Sequence, residues 1–121
     1  MALPELHPLS EVVVYAHTAD MSTAGSAFAR APFRGKVVKV GSVIHAAVTT
    51  ADNGITTKIN STAITGGTYT HAASGSAAGE VRSATPTAAN TVNEDDNIEF
   101  ASDGAGSGTV PATYFAVVRR T

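Results

Sequence analysis

Residues 35–48 read GKVVKVGSVIHAAV, and this stretch decides the fold class. Apolar side chains recur in it with a period of two, which is the pattern of a β-strand with one buried face. Val and Ile are stiff at χ1 and fit a pleated strand better than a helix. We therefore predict a long strand that buries its even-numbered face: Val38, Val40, Ser42, Ile44, Ala46 and Val48.

The residues that follow this strand predict how the chain turns back. Asn53-Gly54 is a pair typical of the two-residue type I′ turn. After it, residues 55–60 alternate again, as a returning strand would, so we expect a β-hairpin here. A second two-residue turn is predicted at Gly66-Gly67, between a weak strand that ends at Ile64 and a short one at residues 68–71.

The remaining chain extends the same pattern in both directions. Val, Ile and Thr make up 34 of the 121 residues, and residues 85–90 favour at most one helical turn. About eight short strands separated by turn signals predict an all-β, single-domain β-sandwich, jelly-roll-like, over residues 11–121. The further strands are expected at residues 11–17, 27–30, 79–84, 98–102 and 109–119. The core should also contain Ile55, Ile59, Ile98 and Phe100.

Composition excludes several classes of function. Eight basic and ten acidic residues give a net charge of −2, and the basic residues are scattered, which disfavours nucleic acid and anionic membranes as partners. The chain has no cysteine, so disulfides, thiolate metal sites and cysteine nucleophiles are absent. No apolar run approaches the roughly 20 residues that span a bilayer, and the first ten residues do not resemble a signal peptide. We expect a soluble protein that is made in a cytoplasm.

Candidate metal ligands have no metal-binding spacing. The four histidines form no H-x-x-x-H or H-x-H pair, and His45 is expected on the strand face opposite Ile44, in solvent or at an interface. Residues 94–97, EDDN, offer oxygen ligands for calcium but lack EF-hand spacing. The interpretation we favour is a turn before the strand at residues 98–102, because Asp and Asn side chains bond turn backbones. We predict no metal and no cofactor.

No catalytic constellation is recognisable in the sequence. There is no G-x-S-x-G motif and no cluster of Ser, His and Asp. Residues 103–108, DGAGSG, contain closely spaced glycines, but a phosphate cradle needs a helix after it, whereas residues 109–111 predict the start of a strand. We interpret residues 103–108 as a flexible hairpin loop and predict that the protein is not an enzyme.

Leucine has the most unusual distribution of any residue type. Leu3, Leu6 and Leu9 are the three leucines of the chain, and prolines at positions 4 and 8 disfavour a helix around them. Polyproline II has three residues per turn and would put all three leucines on one face. We predict an extended N-terminal arm over residues 1–10. Docking on another chain and folding back onto its own sheet remain open, and we expect burial against a neighbour.

Turn and strand signals combine in seven stretches of the chain: residues 31–37 (APFRGKV), 49–52 (TTAD), 58–60 (KIN), 64–67 (ITGG), 75–81 (GSAAGEV), 83–90 (SATPTAAN) and 95–100 (DDNIEF). These stretches resemble small head proteins of tailed bacteriophages. The resemblance extends over roughly residues 30–119 and consists of turn-and-strand patterns, which identify a structural family and carry no reaction.

Proteins of this family decorate capsids and act as cement, commonly as trimers at three-fold or quasi-three-fold positions, where they clamp neighbouring major capsid subunits. The resemblance therefore implies a homotrimer that is made in the host cytoplasm, binds the major capsid protein and resides on the capsid surface of the virion. Leu3, Leu6 and Leu9 are then candidate capsid or subunit contacts. A head-fibre module that binds a receptor or glycan is the alternative.

Overall fold

A computed structural model describes residues 10–121. Nine strands account for the regular structure of these residues, and they form two antiparallel sheets. The strands are β1 (Glu11–Thr18), β2 (Gly25–Arg30), β3 (Gly35–Ile44), β4 (Asn53–Ile59), β5 (Thr62–His71), β6 (Val81–Ala84), β7 (Thr91–Val92), β8 (Asn97–Ser102) and β9 (Ala112–Arg120).

The two sheets have the strand order of a jelly roll. The larger sheet runs β1-β9-β3-β6, with β7 also paired to β3, and the smaller sheet runs β2-β8-β4-β5. Strands β1 to β4 each pair with a later partner: β9, β8, β6 and β5. This is one long antiparallel ribbon folded across itself into two sheets, as in eight-stranded jelly rolls. The predicted β-sandwich is confirmed.

The core lies between the inner faces of the two sheets. The ring of Phe100 on β8 stacks on Tyr114 of β9, with the centroids 5.0 Å apart and the planes 8° from parallel. The predicted core residues are confirmed at most positions because the alternation of β3, β4 and β8 matches the pleat. Those that are buried are Val40, Ser42, Ile44, Val48, Ile55, Ile59, Ile98 and Phe100.

Two residues of the predicted even-numbered face are not in the core. The register of β3 against β9 shifts between Val37 and Lys39, and this β-bulge buries Val37 and leaves Val38 half-buried. An extra residue in one strand reverses the alternation on one side of it, which the period alone cannot reveal. Ala46 is also half-buried, because β3 ends at Ile44 and the chain then leaves the sheet.

The predicted hairpin at Asn53-Gly54 is wrong. Strands β3 and β4 lie in different sheets, and residues 45–52 cross between them. Asn53 instead begins β4 with a buried side chain, whose Oδ1 accepts the Gly106 N–H at 2.7 Å. The true tight turn is Asn60-Ser61, where both residues have positive φ (48° and 73°), as a type I′ turn requires, and it joins β4 to β5.

The second predicted turn, at Gly66-Gly67, is also wrong. Both glycines lie within β5, where the register against β4 shifts, and Thr57 donates a hydrogen bond to the Gly67 carbonyl at 2.7 Å. Residues 85–90 form no helical turn. Their backbone pairs with the irregular part of β5 instead, through the Thr65 N–H to the Ala88 carbonyl at 3.0 Å.

The glycine-rich residues 103–108 are a crossover and not a hairpin loop, because β8 and β9 belong to different sheets. The loop is also held by backbone hydrogen bonds, in contrast to the flexible loop that we predicted. The Asp103 N–H bonds to the Gly54 carbonyl at 3.0 Å, and the Ser107 N–H bonds to the Thr49 carbonyl at 2.9 Å. These bonds join it to residues 49–54 at the same end of the sandwich.

Candidate functional site

The structure brings a serine, a histidine and a glutamate together inside the sandwich. Ser42 lies on β3 of the larger sheet, His71 ends β5 of the smaller sheet, and Glu80 directly precedes β6. Ser42 Oγ lies 2.7 Å from His71 Nε2, and His71 Nδ1 lies 3.0 Å from Glu80 Oε1. We call these three residues the polar cluster. No sequence motif indicates this cluster, because 29 and 9 residues separate its members.

The protonation state of the polar cluster follows from burial and from the carboxylate. Burial lowers the pKa of His71 below 6.5, so its ring is neutral at pH 7. An ionised carboxylate only accepts hydrogen bonds, so Nδ1 carries the proton and donates it to Glu80, while bare Nε2 accepts the Ser42 hydroxyl. The hydrogen bond from His71 lowers the pKa of Glu80, and Arg82 Nε, 3.5 Å away, adds to this effect.

Tyr69 completes the surroundings of the polar cluster. Its ring meets the His71 ring edge to face, with the centroids 6.0 Å apart. Burial raises the pKa of its hydroxyl, and the Ser42 hydroxyl partly offsets this without forming a hydrogen bond of ordinary geometry. The Tyr69 hydroxyl is the single buried side-chain polar atom without a partner among residues 10–121. The three residues of the polar cluster therefore have hydrogen-bond partners, and the Tyr69 hydroxyl beside them has none.

The order of groups in the polar cluster is that of a nucleophilic triad, but its position is not. Nucleophilic catalysis needs a hydroxyl that a substrate can reach. The side chains of Ser42 and His71 are both 0% exposed, and Glu80 alone reaches the surface, at 17%. In this closed sandwich the polar cluster links the two sheets through buried hydrogen bonds, and it offers no argument for catalysis.

The outer face of the larger sheet carries exposed apolar side chains. Tyr15 is 65% exposed, Val81 54% and Val13 42%. The register places Tyr15 opposite Phe115 and Val13 opposite Val117, so these side chains share one face. We call this surface the outer apolar patch, and its members are Val13, Tyr15, Val43, Val81, Phe115 and Val117.

A glycine keeps the middle of the outer apolar patch flat. The register places Gly41 of β3 directly opposite Phe115 of β9. A Cβ added at Gly41 would lie 2.6 Å from the Phe115 ring, so the ring occupies the space over this position. The rim of the patch is charged, with Lys39 on β3 and an ion pair of 2.5 Å between Glu11 and Arg119.

The outer face of the smaller sheet carries a shallow groove and one exposed aromatic ring. The groove has a volume of about 370 Å³ and is lined by Gly54, Thr56, Lys58, Thr68, Ala101, Ser102 and Asp103. None of these residues is aromatic. Phe28 is 58% exposed on the edge strand β2 and does not line the groove.

The acidic residues 94–97 act as the turn that the sequence favours. Asp96 accepts the Asn93 N–H at 2.8 Å, and this bond holds the pKa of Asp96 below its usual value. Asp95 has a positive φ of 71° and pairs with Arg30. No group of three His, Asp or Glu side chains within residues 10–121 could hold a metal ion.

The remaining predicted site residues have different outcomes. His45 is exposed, as expected, and its Nε2 lies 3.1 Å from the Thr113 hydroxyl. Leu3, Leu6 and Leu9 lie outside the described residues, so their contacts stay predictions. The described part of the chain has no helix long and apolar enough to cross a membrane.

Comparisons with known proteins add no family to these observations. No protein-family model matches the chain, and no curated protein matches it significantly.

Proposed function

We propose that the protein is a structural virion component that binds the outside of an assembled phage capsid and cements neighbouring major capsid subunits. The observation that carries the proposal is the outer apolar patch on a closed jelly roll whose one triad-like cluster is sealed. Contiguous exposed apolar surface is typical of a protein-binding site, and a site that joins copies of this chain would build the multivalent oligomer that a cement protein needs. The resemblance of roughly residues 30–119 to small phage head proteins supplies the kind of partner.

Contact with a lattice, and not with a single subunit, follows from the proposed homotrimer. A trimer presents three equal surfaces at fixed spacing, and simultaneous binding gains avidity without any strong single contact. Only an assembled capsid holds three equivalent patches at matching distances. We infer that the protein is made in the host cytoplasm and joins the capsid surface after assembly.

The direct test is co-sedimentation with empty expanded capsids and, in parallel, with unassembled major capsid subunits. We expect saturable binding to the capsids and at least tenfold weaker binding to the free subunits. Equal affinity for both would refute lattice recognition.

Replacing Leu3, Leu6 and Leu9 by Ser, or deleting residues 1–10, should leave the sandwich folded and lower capsid occupancy. A truncated protein that loses thermal stability but binds capsids normally would instead show that the arm packs on its own sheet.

A second candidate is a head-fibre or receptor-binding module that takes a glycan, and the groove on the smaller sheet favours it. Thr56 and Thr68 offer hydroxyls there, and Lys58 and Asp103 offer charges. Sugar sites usually add an aromatic platform, which the groove lacks. A glycan array probed with the isolated protein separates the two candidates, because saturable binding lost on Lys58→Ala would favour the glycan function.

A further inference from the structure

We propose that residues 1–9 of one copy cover the outer apolar patch of a neighbouring copy, and that this contact builds the homo-oligomer. The inference rests on the oligomer of the proposed function and adds which surfaces form it. The patch supplies exposed valine and tyrosine side chains, and the arm supplies Leu3, Leu6 and Leu9.

The size of the patch favours a short segment over a globular partner. Four strands about 4.8 Å apart and three outward rows of side chains cover roughly 300 Å², and the apolar patch is smaller than this because Lys39, Thr113 and Ser83 share those rows. A stable contact between two folded proteins needs about 800 Å² on each side. An extended segment of nine residues with three leucines fits the smaller area, whereas a flat contact between two such patches would be too small to hold.

The length and position of the segment fit the same surface. Residues 1–9 directly precede Ser10 and β1, and β1 itself carries Val13 and Tyr15 of the patch. In polyproline II, at about 3.1 Å per residue, Leu3 and Leu9 would be roughly 19 Å apart. The three outward rows of the patch span roughly 20 Å with their side chains. Each row contains apolar side chains, Val117, Phe115 and Val43 among them, so each leucine can contact one row in a single pass.

A neighbouring copy is favoured over the same chain by the prolines. The arm enters β1 from the end of the larger sheet, so covering its own patch requires a full reversal just before Glu11. Pro8 has a fixed φ and disfavours a helical conformation for the residue before it, so the reversal would fall on Leu9 and Ser10, and leucine is a poor residue for the positive φ that a two-residue turn needs. A head-to-tail contact with the next copy needs no reversal. Repeated contacts of this kind close into a ring when the rotations between successive copies add up to a full turn.

The test compares purified variants by analytical ultracentrifugation, without any capsid. The arm variant carries Leu3→Ser, Leu6→Ser and Leu9→Ser, and the patch variant carries Val13→Ser and Tyr15→Ser. Each should raise the dissociation constant at least a hundredfold, which equals about 2.8 kcal/mol. The matched control is Phe28→Ser, because Phe28 is similarly exposed on the other sheet, and it should change the constant less than threefold.

Mixing the two variants distinguishes a neighbour from the same chain. The arm variant still has an intact patch, and the patch variant still has an intact arm, so their mixture should form a two-chain complex that neither forms alone. Thermal unfolding of each variant within a few degrees of the wild type verifies that both remain folded.

The proposal is overturned if the wild-type protein is a monomer at every concentration. It is equally overturned if oligomers persist in both variants or if the mixture stays monomeric. Because no capsid is present, these outcomes are independent of the capsid-binding test. An arm-dependent oligomer that ignores capsids would refute the proposed function alone.

Discussion

The buried histidine of the polar cluster should make the fold sensitive to mild acid. His71 is fully buried and neutral, since burial lowers its pKa below 6.5, whereas in the unfolded chain its pKa is near 6.5. As the pH falls through 6.5, His71 in the unfolded chain binds a proton, whereas the buried His71 of the folded protein stays neutral. Stability is therefore complete above pH 6.5 and decreases as the pH falls toward the lower pKa of the folded state.

The size of this pH effect on stability is set by the one proton that His71 binds in the unfolded chain alone. A single group that is protonated only in the unfolded state changes the free energy of unfolding by about 1.4 kcal/mol per pH unit. Glu80 affects the free energy of unfolding at a lower pH than His71 does. Its pKa is held below 4.5, mainly by the hydrogen bond from His71, so its contribution is present above pH 4.5 and disappears below it. The range between pH 6.5 and 4.5 thus reports on His71.

Urea unfolding at several pH values between 7.5 and 5.0 measures the slope. His71→Asn removes the titrating ring and should flatten the slope over this range. At pH 7.5 the variant should also lose about 1–3 kcal/mol, because the buried Ser42 hydroxyl is left without its acceptor. The control is His45→Asn, at an exposed position, which should keep the wild-type slope. Equal slopes in the wild type and His71→Asn would refute the reasoning.

Three further predictions concern the sandwich itself. Phe100→Ala should lower the free energy of urea unfolding by about 3–5 kcal/mol, whereas Phe28→Ala at an exposed position should change it by less than about 0.5 kcal/mol; similar losses would contradict the core assignment. Hydrogen bonds, chiefly from Ser22, lower the pKa of Asp20 to about 2, so Asp20→Asn should lower the urea midpoint above pH 3.8 and lose this effect as the pH approaches 2. Thr50 has a φ of 75°, which is costly for a β-branched residue, so Thr50→Gly should raise stability by about 0.5–1 kcal/mol, and a lower melting temperature would count against this strain.

The polar cluster illustrates what a sequence pattern cannot reveal. Ser42 follows the alternation of β3, which predicts its inward position, but nothing near it in the chain indicates what it contacts there. His71 and Glu80 come from the opposite sheet and from a connecting loop. A motif is recognisable only when its spacing is set by one element, and this cluster spans three.

The turns show the same limit at shorter range. Asn53-Gly54 and Asn60-Ser61 both contain residues that tolerate positive φ, and local propensity favours the first pair. The structure uses the second. Asn53 is held in a strand by the Gly106 N–H, a bond across 53 residues, and leaving this buried side chain unpaired would cost more than the local turn preference contributes.

The sequence by itself determined the all-β class, most of the strand positions and most of the core, because χ1 stiffness and period-two alternation act within a few residues. The tertiary structure alone decided which strands share a sheet, where the bulge at Val37 reverses the inner face, and which buried polar groups meet. The physical reason is that strands pair through backbone hydrogen bonds, which every sequence offers equally. The choice of partner therefore depends on packing between residues that are far apart in the chain.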